Sequence, residues 1–441
     1  MTLPDYVLEV INRLEAIGFE AYTVGGCVRD YLLGQCPDDY DITTSALPEQ
    51  IIAAFGDYKI LTVGLKHGTV TVIINGKPIE ITTFRIDGDY RDHRHPASVE
   101  FTSSLAEDLS RRDFTINAMA YSPRTGIIDL YGGREDLENK IIRCVGNPEQ
   151  RFDEDGLRIL RALRFASRYG FTLDRATADA AHRLRYLLGG ISAERIQHEL
   201  CEILVGQCGD ILIDYPDIIC EIIPEMHPCI GFLQHSKYHN RTVYRHIAAT
   251  VAAAEPDIIY RLTMLLHDIG KPDSYFMENG VGHFYGHAKV SREIAERVLA
   301  RLRCSNKITS EVLFLIENHG IVINDNPRYF RRALAKYGEE RFFELIKVHI
   351  YDTMGKAPAY LHECELFYNI EKHLHEFLEK EPAMSLKQLA VSGGDIISLG
   401  FRGKEIGEAL GFLLDAVLDE KCENNKEKLL KYCRENFEKS I

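Results

Sequence analysis

The stretch that most constrains this chain runs from Tyr22 to Thr44, YTVGGCVRDYLLGQCPDDYDITT. Tyr22 and Val24 read as a short apolar strand, Gly25-Gly26 as a turn, Val28-Arg29-Asp30 as the opening of a helix, and Asp39-Tyr40-Asp41 as part of a second strand. Side chains two apart on a strand share a face, so Asp39 and Asp41 are expected to form a paired carboxylate site. Hard oxygen ligands of this kind suit Mg²⁺, which completes its shell with water and substrate phosphates. A glycine turn entering a helix offers backbone N–H groups to an anion, and Arg29 adds a guanidinium fork. A lone GG is usually a turn and a lone DxD usually a solvated strand edge. Together, in this order, they give metal at one end and phosphate at the other, the layout of a nucleotidyl-transfer site.

Composition narrows the class. The 441 residues are 45% hydrophobic and 27% charged, ordinary for a soluble globular chain; about three or four domains are expected at this length. The N-terminus, MTLPDYVLEVINRLEAIGFE, reads as an acid-bearing amphipathic helix, with neither the basic nor the apolar segment of a signal peptide. No apolar run approaches the roughly 18 residues of a membrane span. Eleven cysteines without a CxxC pair fit reduced thiols, so a cytoplasmic location is expected. A net charge of −14 argues against a generic nucleic-acid binder, although a local basic groove is compatible with it.

LKHGTVTVII and PIEITTFR are β-rich runs around Asn75-Gly76-Lys77, a hairpin signal. Ile79 and Ile81 alternate with Glu80 and Thr82, so Glu80 faces away from the core side. Beside the DxD strand it becomes a third carboxylate; otherwise it is a solvent-facing strand residue. Residues 86–100 read as a loop carrying Arg91, Asp92, Arg94 and His95. In EDLSRRDFTINAMAY, Ser110 with Asp113 is expected to cap a helix, with Arg111-Arg112 placed to grip a triphosphate. DLYGGREDLENKIIRCVG reads as a turn and a β-run closing the first domain.

In QRFDEDGLRILRALRFASRYG one helix is expected, with Arg158, Arg161, Arg164 and Arg168 on one side and Ile159, Leu160, Leu163 and Ala166 on the other. Asp155 lies one turn before Arg158. The plain reading is an arginine-rich solvent face. The sharper one is chemical. Cytosine and adenine present an amine donor beside a ring-nitrogen acceptor, whereas guanine and uracil present the reverse. A carboxylate only accepts and a guanidinium only donates, so Asp155 with Arg158 matches C and A and mismatches G and U. ISAERIQHELCEILVG reads as a helix in which capping-type Ser192 is followed three residues later by Arg195 rather than Glu. A loop, SKYHNRTVY, precedes a further domain.

From residue 244 onward, His246, the doublet His267-Asp268 and Asp352 stand on or at the ends of expected helices, with His287 and His319 at comparable positions. Imidazole with carboxylate suits a transition metal or Mg/Mn with water as nucleophile; the wide spacings leave the clustering of these residues open. In the tail, Lys404, Lys421, Lys426, Lys428, Lys431 and Arg434 alternate with acids on helices broken by glycines.

GGCVRD with DDYD, RRDFTINAMA, DLYGGREDL, EDGLRILRALRFA and ISAERIQHEL stand in the order and spacing of a known family. From about residue 20 to its end the chain resembles the class II tRNA nucleotidyltransferases of the poly(A) polymerase superfamily, the bacterial CCA-adding enzymes. The resemblance implies an α+β fold: a small mixed-sheet nucleotidyltransferase head (1–146) followed by an all-α neck (147–235), an HD-containing body (236–357) and a tRNA-gripping tail (358–441). It implies that Asp39 and Asp41 hold Mg²⁺, with Glu80 as the candidate third catalytic carboxylate. Gly26, Arg29 and Arg112 would contact the nucleotide, Asp155 and Arg158 would read its base, and Arg161 and Arg164 would meet its phosphates. The implied partners are tRNA, CTP and ATP, with no membrane and no DNA; monomer and dimer stay open. CCA-, CC- and A-adding enzymes and poly(A) polymerases share this head. YRDHRHP and RRDFTINAMA are closer to the CCA type, with Arg94-His95-Pro96 where many members have two arginines before the proline. The region after 244 resembles HD-type phosphohydrolases, in which His246, His267, Asp268 and Asp352 would hold Mg²⁺ or a transition metal of the Mn, Ni or Fe type. A nucleotide phosphohydrolase with a regulatory head is the competing class.

Overall fold

The structure, a computed structural model, describes residues 1–88, 99–380 and 388–437. Arg91, Asp92, Arg94 and His95 lie outside the described residues. Two compact units are present: Met1–His227 with Pro256–Ile258 and Val298–Ser305, and the remainder.

The first unit is built on a mixed seven-stranded sheet, in the order Lys59–Leu61, Thr69–Ile74, Lys77–Thr83, Asp41–Thr44, Ala21–Val24, Met119–Ser122, Gly126–Asp129. The Asp41–Thr44 strand is central, parallel to Lys77–Thr83 and antiparallel to Ala21–Val24. Both faces of Ala21–Val24 are covered: Ala21 joins the core under helix Asp5–Ala16, and Tyr22 and Val24 join Phe84 and Leu109 on the other side. The hairpin expected at Asn75-Gly76 forms, with φ of 51° and 79° at the two turn residues, the left-handed pair that a two-residue turn requires. Ile79 and Ile81 are buried and Glu80 is exposed.

Three local expectations are corrected. The second strand begins at Asp41, so Asp39 lies in the exposed approach to it rather than on it. Ser110 caps nothing; it ends helix Leu105–Ser110, whose N-cap is Ser104, accepting from the Glu107 amide at 3.4 Å. The arginine-rich stretch is two helices, Pro148–Glu154 and Leu157–Tyr169, parted by an extended Asp155 (φ −144°, ψ 103°). Periodicity does not show this break, nor the packing beside it: a Cβ on Gly156 would stand 2.9 Å from the Leu187 Cβ and 3.2 Å from its carbonyl oxygen. The expected solvent face holds only for Arg168, which is exposed; Arg158, Arg161 and Arg164 are part-buried against internal partners, with Ile159, Leu160 and Leu163 buried behind them. Helix Ala193–Val205 packs against this helix.

The second unit is helical apart from one hairpin, Phe276–Glu278 with Val281–His283. Sequence reading missed it, although Asn279-Gly280 (φ 51° and 79°) is the same signal as Asn75-Gly76. Three helices, Gly393–Ser398, Lys404–Leu418 and Lys426–Asn436, close a separate apolar cluster around Phe401, Leu413 and Leu429. Among the described residues, no helix is long and apolar enough to cross a membrane.

Gly156→Ala is expected to lower stability by about 1–3 kcal/mol through the clash with Leu187. Urea unfolding read on the helical signal checks this, as a lower midpoint at unchanged slope.

Candidate active site

The sheet brings the acidic residues together. Val24 pairs with Asp41, and Asp41 with Glu80, so two carboxylates stand side by side at the strand ends next to the glycine turn. Asp41 is exposed at its strand end, yet the protein around it restricts its hydration and, with the charges of Glu80 and then Asp39, raises its pKa, while Arg112 pulls it down. Crowded carboxylates of this kind are relieved by a cation, so the donor set fits Mg²⁺.

The turn depends on Gly25 more than on Gly26. Gly25 has φ 76°, and a Cβ there would lie 3.3 Å from Arg112 Nη1. Arg112 therefore lies directly over the turn, and it donates from Nη2 to Asp108 at 3.2 Å. Asp108 is fully buried, and burial alone would raise its pKa, but Arg112 and Arg111 hold it below the usual carboxylate range. It also accepts from the Thr43 hydroxyl on the central strand at 3.1 Å.

Arg29 is 6% exposed, and its donors are engaged. Nη1 donates to Asn117 Oδ1 at 2.6 Å, Nε to Asp30 at 2.9 Å, and the guanidinium lies over the Phe165 and Tyr169 rings at 5.2 and 5.1 Å. Asn117 donates in turn to Asp113 Oδ1 at 3.1 Å, and Asp113 Oδ2 accepts from Arg161 at 2.9 and 2.5 Å. One run of polar contacts thus joins helix Gly26–Leu32, the RRDFTIN motif and the arginine-rich helix. Burial pushes Asp113 up, but Arg161 and Asn117 bring its pKa down to about 2.

The two base-reading candidates are each held. Asp155 accepts from its own Leu157 amide on Oδ1 at 3.1 Å and from Arg195 Nη2 on Oδ2 at 3.0 Å. Arg158 donates to Glu154 at 2.5 Å, to the Arg151 carbonyl at 2.9 Å and to the Arg111 carbonyl at 3.4 Å. Arg164 pairs with Glu199 at 3.1 Å; burial lowers the former's pKa and raises the latter's, against their mutual attraction. Glu154, Arg195, Asn117 and Glu199 are neighbours that sequence reading did not assign to the site; the quoted motifs contain all four.

In the second unit four imidazoles and two carboxylates converge. His246 Nε2 lies 3.2 Å from Asp268 and 3.0 Å from Asp352, and His267 Nε2 lies 3.2 and 3.4 Å from the same pair. His287 Nε2 is 3.4 Å from Asp268 and 3.0 Å from His319 Nε2. Every one of these rings meets a backbone carbonyl through Nδ1: Gly355, Met264, Phe284 and Ile316 respectively, at 3.1, 2.8, 2.8 and 2.6 Å. A neutral ring that donates from Nδ1 carries a lone pair on Nε2, so in its neutral form each ring would turn an Nε2 acceptor towards this centre. Burial disfavours a charged His267, yet Asp268 and Asp352 raise its pKa to about 9; burial drives His319 down to about 3. Lys271 already pairs with Asp268 at 2.6 Å, and the groups His246, His267, Asp268, Asp352 and Asp268, His287, His319 could each hold a metal ion.

The Asp113–Arg161 pair predicts an acid limit. Asp113 titrates near 3.9 when unfolded and at about 2 when folded. Its contribution, about 2 kcal/mol, is complete above pH ~4 and lost as pH falls through about 2. Asp113→Asn should lose that acid sensitivity and, at pH 7, cost about 3 kcal/mol by stranding Arg161; pH-dependent urea unfolding of both proteins tests this.

Known proteins resemble both units. The family of the poly A polymerase head domain matches residues 21–143, and that of tRNA nucleotidyltransferase domain 2 matches 283–433. The chain is 34% identical over 439 residues to a CCA-adding enzyme of Lactobacillus helveticus, covering 98% of this chain and 97% of that one. It is 35% identical over 435 residues to that of Geobacillus stearothermophilus, covering 97% and 96%. The crystal structure of the Bacillus stearothermophilus CCA-adding enzyme in complex with CTP matches with a TM-score of 0.69 at 30% identity, over 99% of this chain and 98% of that one. Likeness of this extent, along nearly the whole of both chains, shows that the chain belongs to the CCA-adding enzyme family.

Proposed function

We propose that the chain adds C, C and A to the 3′ end of tRNA, using CTP and ATP without a nucleic-acid template. The observation that carries the reading is the fixed pair Asp155 and Arg158, an acceptor and a donor on one turn, each held by its own partner. The base it admits carries an amine beside a ring-nitrogen acceptor. The 3′-hydroxyl oxygen forms a bond to the α-phosphorus, the bond from that phosphorus to the bridging oxygen breaks, and pyrophosphate leaves.

Asp39 and Asp41 would hold Mg²⁺, with Glu80 beside them. The metal supplies positive charge to the attacking and leaving oxygens. Arg112, over the Gly25 turn, meets the triphosphate together with the Gly26 backbone. Arg29 acts from beneath, setting the position of Asn117 and the turn. Arg161, its side chain 33% exposed, keeps an edge towards solvent for a phosphate, and Arg164 extends that positive face. tRNA is the acceptor, and a cytoplasmic setting follows from that substrate.

A second activity is favoured by the lone-pair geometry at His246, His267, His287 and His319. We infer a metal-dependent phosphohydrolase centre there, with Mg²⁺ or a Mn, Ni or Fe ion as the metal.

Wild-type protein given tRNA ending at its discriminator base should add two C with CTP alone and CCA with CTP and ATP, read at nucleotide resolution; Asp39→Ala should abolish addition. Stopping at CC, adding only A to a CC end, or making long A tails would reassign the protein to a CC-adder, an A-adder or a poly(A) polymerase.

Asp268→Ala should lose bound metal and hydrolysis of bis(p-nitrophenyl) phosphate while CCA addition persists. Wild-type protein that neither retains Mg²⁺, Mn²⁺, Ni²⁺ or Fe²⁺ nor hydrolyses this probe would remove the second activity.

A further inference from the structure

We propose that Arg195 is the positioning residue for base selection: it fixes the direction in which Asp155 accepts. The inference rests on the reading of Asp155 and Arg158 given above. Arg195 lies on the Ala193–Val205 helix, outside the stretch that carries the reading pair. Its Nη2 donates to Asp155 Oδ2 at 3.0 Å, while Asp155 Oδ1 is taken by the Leu157 amide at 3.1 Å. With one oxygen on the backbone and the other on a guanidinium, the carboxylate cannot turn about its own axis without breaking a bond. Its remaining lone pairs therefore point in fixed directions, which selection by hydrogen-bond pattern needs.

Four features argue that Arg195 is placed for this contact and not for the stability of its own helix. The helix begins after Ser192, a capping-type residue, yet the Ser192 side chain makes no cap hydrogen bond. A capping box would put Glu or Gln at the third helical position, where its side chain reaches back to the N-cap amide; Arg195 occupies that position, and a guanidinium has no acceptor. A cation in the first turn is also opposed by the helix dipole. Finally, Arg195 Nη1 is buried without a hydrogen-bond partner among the described residues. An unmade buried donor is unfavourable, so this nitrogen gives the helix no local stabilisation.

One turn further along the same helix, Glu199 takes Arg164 at 3.1 Å and is 3% exposed. This second arm touches no base-reading residue. It separates the two effects that a substitution on this helix can have, because disturbing it disturbs the packing without releasing Asp155.

The test measures kcat/KM for CTP against UTP on tRNA ending at the discriminator base, and for ATP against GTP on tRNA ending in CC. Arg195→Ala is expected to lower both ratios by about tenfold or more, and Arg195→Lys, which keeps one donor and the charge, to restore most of the loss. Glu199→Gln is expected to lower activity with both ratios as in the wild type. If Arg195→Ala does not fold, Arg195→Met, which keeps the apolar stem, carries the same measurement. Wild-type ratios in a folded Arg195→Ala or Arg195→Met protein overturn the proposal. Lowered ratios that Lys fails to raise also overturn it, because they show that the charge and the single bond to Asp155 are not what matters. A wild-type protein that adds no nucleotide to either tRNA overturns the functional reading itself, a different outcome from a changed or unchanged ratio.

Discussion

Asp113 carries the mechanical burden of the first unit. Its carboxylate takes the Arg161 fork on one oxygen and the Phe114 amide and Asn117 on the other. Through Asn117 it reaches Arg29, whose guanidinium is flanked by Phe165 and Tyr169. The glycine turn, the RRDFTIN motif and the arginine-rich helix are thus tied by directional bonds and not only by apolar contact. Burying these charges is expensive, and apolar packing of similar volume often gives equal or greater stability. What packing does not give is angular precision, and a site that reads hydrogen bonds needs it.

The fold was legible where a local signal and the tertiary outcome agree. Asn75-Gly76 specifies its hairpin through positive φ at both residues, and the alternation of Ile79 and Ile81 with Glu80 sets which face is buried. The pairing of Glu80 with Asp41 is a parallel register between strands far apart in sequence; alternation allows it without choosing it. Gly156 shows the opposite case. Helical periodicity runs smoothly through it, but the chain is extended at Asp155 just before it, and the close approach of Leu187, invisible locally, leaves no room for a Cβ at Gly156. Asn279-Gly280 was readable by the same rule as Asn75-Gly76 but sits among helices, where a two-stranded insertion has no periodic neighbourhood to announce it.

The histidine cluster was legible in kind and not in arrangement. Residue types suggested a metal, but His246 and Asp352 lie on separate helices, and no spacing rule brings them within 3.0 Å. What the structure adds is the state of the rings. With Nδ1 meeting a carbonyl in all four, the Nε2 atoms face inward, as acceptors when the rings are neutral. Gly355 takes part in this: a Cβ there would stand 2.7 Å from His246 Nδ1, so the close carbonyl that orients this ring requires the glycine. The two candidate metal sites differ in hardness. Carboxylates alone at Asp41 and Glu80 suit Mg²⁺, whereas imidazoles with carboxylates suit transition metals as well.

A reading pair of one acceptor and one donor has a consequence for the order of addition. On the proposed reading, cytosine and adenine offer the pair the same pattern, an amine beside a ring nitrogen, so Asp155 and Arg158 would exclude G and U but rank C and A equally. Holding both residues more rigidly sharpens the exclusion and does nothing for the ranking. The order C, C, A must come from something that differs between the second addition and the third. The protein's covalent structure is the same at every step; the RNA 3′ end is not. Were the base bounded on one side by these charges and on the other by the growing end, the space for it would change as nucleotides accumulate, and size distinguishes a pyrimidine from a purine. On this view the ionic partners Glu154 and Arg195 make one wall immovable so that the acceptor alone determines which of the two admitted bases fits.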